Sequence, residues 1–493
     1  MGFEALCSAE NFPNVEPRLL QTMWNVNNMK IAFETIGNAI LICHDNKPVL
    51  ATDPWITGDA YFGSWCLSHE IPNEQMQAIK NCEYIWLSHG HPDHLHEDSL
   101  RLLKGKKVLL PDHFGRRIFN SLVEQGYEVH VLKDKTWQRL SEHIKILCLS
   151  DYNQDACLLV DINGRLIINM NDGAALGWTT FVKNVIGKYD RSFYLRLYGF
   201  GNADMINVFN ERGDRLLPDP EALIVPLGPQ IARDTDFLGA TDFVPFSSFH
   251  RYQRSDSVWA ETYSPSVEDY EKSFESRSSQ CLPAFIQYNC ATDEWKKLEP
   301  AQVCVRTRAP EEFGDCWHEQ LEQSDLAFAK KYFKSFAHIA SNLDFINLRV
   351  GGKDNVIEFS GSKFEKGLTF QVPRRSLMTA VEYEIFDDIL IGNFAKTILH
   401  GKWERHLNYS SPLYPDFTPY IAKYGDNGRA RSQHELASYF RAYRRRMGVR
   451  GILDLLVGKL ENRSKAVFRS FVAEDSRFYG VAKILYCSTR KSF

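Results

Sequence analysis

The sequence predicts an α/β fold of two sheets with helices outside, followed by a C-terminal α+β extension. Three observations lead there. Two segments share one hairpin pattern ending in an acid, strand-like and helix-like runs alternate through about residue 250, and the pattern changes beyond Ser341. A repeated hairpin that opens two such runs suggests two sheets, each covered on its outer face.

The first hairpin runs AILIC (39–43), a His44–Lys47 turn, PVLAT (48–52), then Asp53. The second runs ACLLVD (156–161), the Asn163-Gly164 turn, RLIIN (165–169), then Asp172. Asn-Gly between apolar runs is a strong hairpin signal, because both residues tolerate the positive φ of a type I′ turn. Between the hairpins, Glu83 to Ser88 (EYIWLS) has the length of a buried strand. Glu97 to Lys104 reads as a helix stopped by Gly105, Val108 to Leu110 as a strand, Phe114 to Glu124 as an amphipathic helix and Glu128 to Leu132 as a strand. Residues 251–330 are rich in Ser, Glu and aromatics with weak strand signals, and Ser324 to Ala340 is helical in pattern. Strand-like runs follow at Asn355 to Ser360 and Leu368 to Val372, then helices at Arg375 to Asn393 and His434 to Met447. The expected units are an N-terminal extension (1–29), a catalytic domain (30–260), a helical and irregular extension of its core (261–340) and a C-terminal α+β region (341–493).

Composition narrows the class. The 493 residues are 44% hydrophobic and 24% charged, which fits a folded enzyme or binding protein and excludes disordered and coiled-coil classes. A formal charge of -4 supplies no broad field to attract nucleic acid or an anionic membrane. The cysteines are dispersed, odd in number and without a CxxC pair, and the N-terminus MGFEALCSAENF carries no secretory pattern. A cytoplasmic protein without a membrane span is expected, its oligomeric state open.

The chemistry concentrates after EYIWLS. His89-Gly90-His91-Pro92-Asp93-His94 places imidazoles and a carboxylate, the usual ligands of Zn, Fe and Mn, within one loop at a strand end. A solvated His-rich turn is the bland alternative, but ligand clusters in ordered loops are usually functional.

The spacing H-x-H-x-D-H resembles the metallo-β-lactamase family, whose αββα sandwich has internally duplicated halves. The stretches DPWITGDAYFGSWCLSHEIP (53–72) and DACLLVDINGRLIINMND (155–172) are similar to the catalytic domain of the CMP-N-acetylneuraminate hydroxylase family and its lactonase-like relatives. That resemblance covers about residues 30–260. It implies that His89 and His91 bind metal 1, Asp93 and His94 bind metal 2, and Asp172 bridges both. It further implies His250 as a metal 2 ligand and Asp53 as support behind the ligands. The hydroxylase family's iron–sulfur motif is not matched, since Cys316-Trp317-His318 is followed by no C-x-x-H. Asp151 stands where the family expects the third histidine of metal 1. As a ligand it adds a hard oxygen and shifts preference from Zn towards Fe or Mn; as a turn residue in LSDYNQDA it needs no metal.

Two enzymatic readings follow from the resemblance. The first is a non-haem di-iron oxygenase of the hydroxylase type, using dioxygen on a small organic substrate with electrons from a separate donor protein, with Asp93 and Asp172 at the reacting centre. The second is a hydrolase of an ester, lactone or phosphodiester with two Zn or Mn ions. The aromatics Trp55, Tyr61, Phe62, Trp65, Tyr194, Tyr198 and Phe200 serve as packing or as pocket walls. The basic run Arg441 to Arg446 reads as a solvated face near a helix end, and His400 and His406 as polar loop residues.

Overall fold

The computed structural model describes residues 30–199, 205–217, 226–247, 249–359, 365–403 and 417–471; residues 1–29, Phe200 and His406 lie outside them. Two large sheets face one another. The first has eight strands, in spatial order Glu294–Lys297, Ile286–Asn289, Ile31–Ile36, Ile40–Asp45, Lys47–Thr52, Tyr84–Trp86, Lys107–Pro111 and Glu128–Leu132. The second has seven, in order Gln280–Cys281, Asp242–Pro245, Ser192–Arg196, Arg165–Asn171, Ala156–Ile162, Ile144–Ser150 and Gln138–Arg139. In both sheets an antiparallel hairpin leads into parallel strands: Lys47–Thr52 pairs parallel with Tyr84–Trp86, and Arg165–Asn171 with Ser192–Arg196. The duplicated layout expected from the hairpins is therefore the architecture of the sandwich.

The continuous apolar runs have a physical cause, since both faces of these strands are covered. Leu41, Cys43, Leu158 and Val160 point into the layer between the sheets. Ile40, Ile42, Leu159 and Ile168 point outward and pack beneath the helices Asn73–Asn81, Arg117–Glu124 and Thr179–Ile186. The second hairpin turns through Asn163 (φ 51°) and Gly164 (φ 79°), the two positive values that a type I′ turn needs.

Residues 280–297, expected as irregular extension, supply strands to both sheets. The reason they read weakly is local. Glu294–Lys297 is an exposed edge strand, and Ile286–Asn289 buries only alternate residues. A third, five-stranded sheet runs Val208–Phe209, Lys396–His400, Gly367–Gln371, Phe345–Val350 and Lys353–Glu358, so a short strand from the 205–217 segment joins the C-terminal region. Gln323–Lys334, Arg374–Glu382 and Phe386–Ile391 pack on this sheet in one core, which also takes in Trp55, Tyr61 and Trp65. Helix Gln433–Phe471 is kinked at Gly448 (φ 71°). Among the described residues no helix is long and apolar enough to cross a membrane, and all the cysteines are free.

Candidate metal centre

The site forms where strands of both sheets end. Asp53 closes Lys47–Thr52 in a left-handed conformation (φ 39°) and is fully buried. Its Oδ1 accepts the Ser88 backbone N–H at 2.7 Å, and its Oδ2 accepts the Asn171 side-chain amide and lies 3.3 Å from His94 Nδ1. Asn171 also donates to Ser88 Oγ at 3.0 Å, and Ser88 Oγ meets His89 Nδ1 at 2.9 Å. His89 and His94 are thus both held through Nδ1, which leaves each Nε2 facing the centre. Orienting partners of this kind fix the tautomer and aim of a ligating imidazole. His113 backs the same loop, its buried Nε2 donating to the Ser88 carbonyl at 3.2 Å.

The inward-facing atoms converge. His94 Nε2 lies 3.2 Å from Asp172 Oδ2 and 3.1 Å from Asp93 Oδ2, while His89 Nε2 lies 3.9 Å from Asp172 Oδ2 and 2.9 Å from His91 Nδ1. Ligand atoms of His89, His94 and Asp172 all fall within 4.8 Å of one another. Donors about 2.1 Å from a common cation stand roughly 3.4 Å apart in a tetrahedral shell, so these separations fit a metal. The chemistry fits too, because imidazole and carboxylate are first-row metal donors. Asp93 is clamped by the Tyr61 hydroxyl, which donates to Oδ1 at 2.6 Å, and by the Asn38 amide on Oδ2 at 3.0 Å. Ser247, with a left-handed φ of 74°, donates to Asp172 Oδ1 and leaves Oδ2 facing His94.

Charge is finely divided here. Burial, reinforced by the positive neighbours His94 and His91, pushes the His89 imidazole well below the usual histidine range. Burial also works against a charged His94, but the carboxylates of Asp93 and Asp172 outweigh it and hold that imidazole well above the usual range. Asp93 is held low, its burial overcome by His94 and by the Tyr61 hydrogen bond.

Asp93, Asp151 and His250 are in neither of the clusters that the described residues form, although Asp93 Oδ2 lies 3.1 Å from His94 Nε2. Asp151 Oδ1 accepts the backbone N–H of Asn153 at 2.7 Å and of Asp155 at 3.3 Å, so its carboxyl caps its own turn. Burial and the nearby Asp155 raise its pKa well above the usual carboxylate range. His250 stacks on Trp65 with ring centroids 3.4 Å apart and planes at 5°. Among the aromatics, Tyr61 reaches Asp93, whereas Tyr194 and Tyr198 pair hydroxyls at 3.2 Å beside Asp234.

Sequence reasoning missed Asp387 and Asp388. Both are buried on Phe386–Ile391, and His91 Nε2 lies 3.0 Å from Asp387 Oδ2. Ligand atoms of His91, Asp387 and Asp388 form a second group within 4.8 Å. The available signal was the adjacent acids inside the apolar run Ile385 to Ile391.

No family model matches the chain. A cytidine monophosphate-N-acetylneuraminic acid hydroxylase from Danio rerio is 32% identical over 166 residues, which cover 32% of this chain and 28% of that relative. The duplicated two-sheet sandwich with the His-rich loop at a strand end is the arrangement of one known fold. The chain is a metallo-β-lactamase-fold protein. It spans less than a third of the length of that hydroxylase. CmlA, a diiron β-hydroxylase from Streptomyces venezuelae, is 12% identical with a TM-score of 0.34 and covers 55% of each chain. A possible metal-dependent hydrolase from Veillonella parvula is 12% identical with a TM-score of 0.37, covering 55% of this chain and 100% of its own. In this metallo-β-lactamase-fold protein, the described metal-ligand groups combine one histidine pair with a single acid and one histidine with two acids.

Proposed function

We propose that this metallo-β-lactamase-fold protein is a dinuclear non-haem iron hydroxylase that oxidises a small organic substrate with dioxygen, electrons coming from a separate donor protein. The observation that carries the reading is the donor set of His89, His94 and Asp172, because two histidines and one carboxylate with open positions are the usual holder of oxygen-activating iron. The hydroxylase named among its relatives supports the same reaction class. Iron bound there supplies the dioxygen chemistry.

The protein's own groups provide orientation and exclusion of water. Asp93 and His94 are wholly buried, so the inner side of the site is dry. Tyr61 and Asn38 fix both Asp93 oxygens, which keeps that carboxylate ionised and aimed. Asp172 has 12% of its side chain exposed, the only member of its group open to a substrate side, and the Ser247 hydroxyl holds its far oxygen. Its other oxygen faces His94 Nε2 at 3.2 Å as the ligand atom of the group.

A second reading is a dinuclear Zn or Mn hydrolase. It is favoured by the same two imidazoles, which suit Zn equally well and would serve to lower the pKa of a bound water. Elemental analysis of the purified full chain separates the two. About two Fe per chain with an oxygen-sensitive spectrum after reduction is expected; two Zn with no response to reductant would move the assignment to the hydrolase.

A further inference from the structure

The His91 ring bridges two parts of the molecule. Its Nδ1 faces His89 Nε2 at 2.9 Å, and its Nε2 faces Asp387 Oδ2 at 3.0 Å, across 296 positions of sequence. We infer that Asp387 and Asp388, from the C-terminal region, are metal ligands, and that with His91 they hold one of the two cations of the centre. The inference rests on reading the site as a metal centre and not on which reaction that centre performs.

Burial and bonding both point to a ligand. Asp387 and Asp388 are only 4% and 5% exposed. Acids in the first turn of a helix usually sit in solvent, where they complement the macrodipole. Here all six residues of Phe386–Ile391 are buried. The Asp388 carboxyl lies in the ligand group with His91, beside the Asp387 carboxyl that meets His91 Nε2. Two carboxyls buried side by side are costly unless something supplies opposing charge and bonds. A divalent cation among His91, Asp387 and Asp388 supplies both. The set of one nitrogen and two carboxylates is oxygen-rich, so it prefers a harder cation such as Fe(II) or Mn(II). It also provides carboxylates to the centre while Asp151 is engaged in its own turn.

The test is metal stoichiometry of the full chain with Co(II) as a spectroscopic probe, read by equilibrium dialysis and visible absorption and needing no turnover. The wild type should bind about two Co(II). Asp387→Asn and Asp388→Asn should each bind about one, with at least a tenfold weaker affinity for the second, while Asp151→Asn keeps two. Thermal melting of the metal-free proteins guards against misfolding: Asp388→Asn should melt cooperatively as the wild type does, yet gain less from added Co(II). Two tightly bound Co(II) in the Asp387→Asn, Asp388→Asn double variant would overturn the inference and leave the metal centre standing. A wild type that binds no Co(II) would overturn the metal reading and this inference together.

Discussion

At the scale of single residues, the His-rich loop depends on neutral groups behind it. Burial holds His113 down from the ordinary 6.5 to about 4, while its Nε2 donates to the Ser88 carbonyl. The folded protein therefore refuses a proton that the unfolded chain accepts below about pH 6.5, so stability rises with pH across that window. The contribution is complete above pH 6.5 and is lost as pH falls towards 4, amounting to roughly 3 kcal/mol at 1.36 kcal/mol per pKa unit. In urea titrations at several pH values, His113→Gln should flatten the pH dependence between 6.5 and 4 by about that amount. An unchanged slope would place the acid sensitivity elsewhere. The same scale explains what the sequence made legible in the site. His89, His91, Asp93 and His94 lie within six residues, so bringing them near one another needs only one loop at one strand end. Asp387 and Asp388 join that loop through the tertiary fold, and no local spacing announces a contact between residues so far apart in the chain. Asp151 stayed ambiguous because turn chemistry and metal ligation use the same carboxyl.

Elements show where sequence pattern suffices. The hairpins are legible because strands covered on both faces carry unbroken apolar runs, and because Asn163-Gly164 permits only a tight turn. The strand Glu294–Lys297 is illegible because an exposed edge strand buries nothing that a pattern could reveal. The docking of the C-terminal region was equally hidden, since it rests on backbone approach. At Gly115 (φ 85°) an added Cβ would meet the Gly428 carbonyl carbon and oxygen at 2.8 Å, and Arg117 donates to Asn427 at 2.6 Å beside it. Close backbone approach together with a positive φ requires glycine. Gly115→Ala should therefore cost about 1 to 3 kcal/mol, as strained backbone typically does, and should speed hydrogen exchange around Ala422–Asn427 more than in the hairpins. Uniform exchange would mean that the contact does not fasten the two regions.

For the whole molecule, the division into a two-sheet sandwich and a C-terminal region is a division of sequence more than of cores. Tyr61, whose hydroxyl holds Asp93, packs in the same apolar cluster as Phe386, Ile389 and Leu390, which carry the Asp387 and Asp388 helix. Gln154, beside Asp151, donates to Tyr439 at 3.1 Å and Tyr443 at 3.2 Å, and Lys423 pairs with Asp155 at 3.1 Å, so the C-terminal elements also fasten to the turn that follows Ile144–Ser150 in the second sheet. A shared core couples folding to metal binding, because whatever loosens the cluster moves ligands on both sides. Phe386 is the natural probe. It is 1% exposed and meets the rings of Phe333 and Phe370 edge-on at 5.2 and 5.0 Å. Phe386→Ala should cost about 3 to 5 kcal/mol by lost burial and a residual cavity. The protein should still melt in a single transition, and the variant should bind metal more weakly than wild type, because Asp387 follows the cavity directly. Calorimetry with and without Co(II) measures all of this. Two resolved transitions, with the metal-dependent one unmoved by Phe386→Ala, would show that the sandwich holds its cations without the C-terminal region.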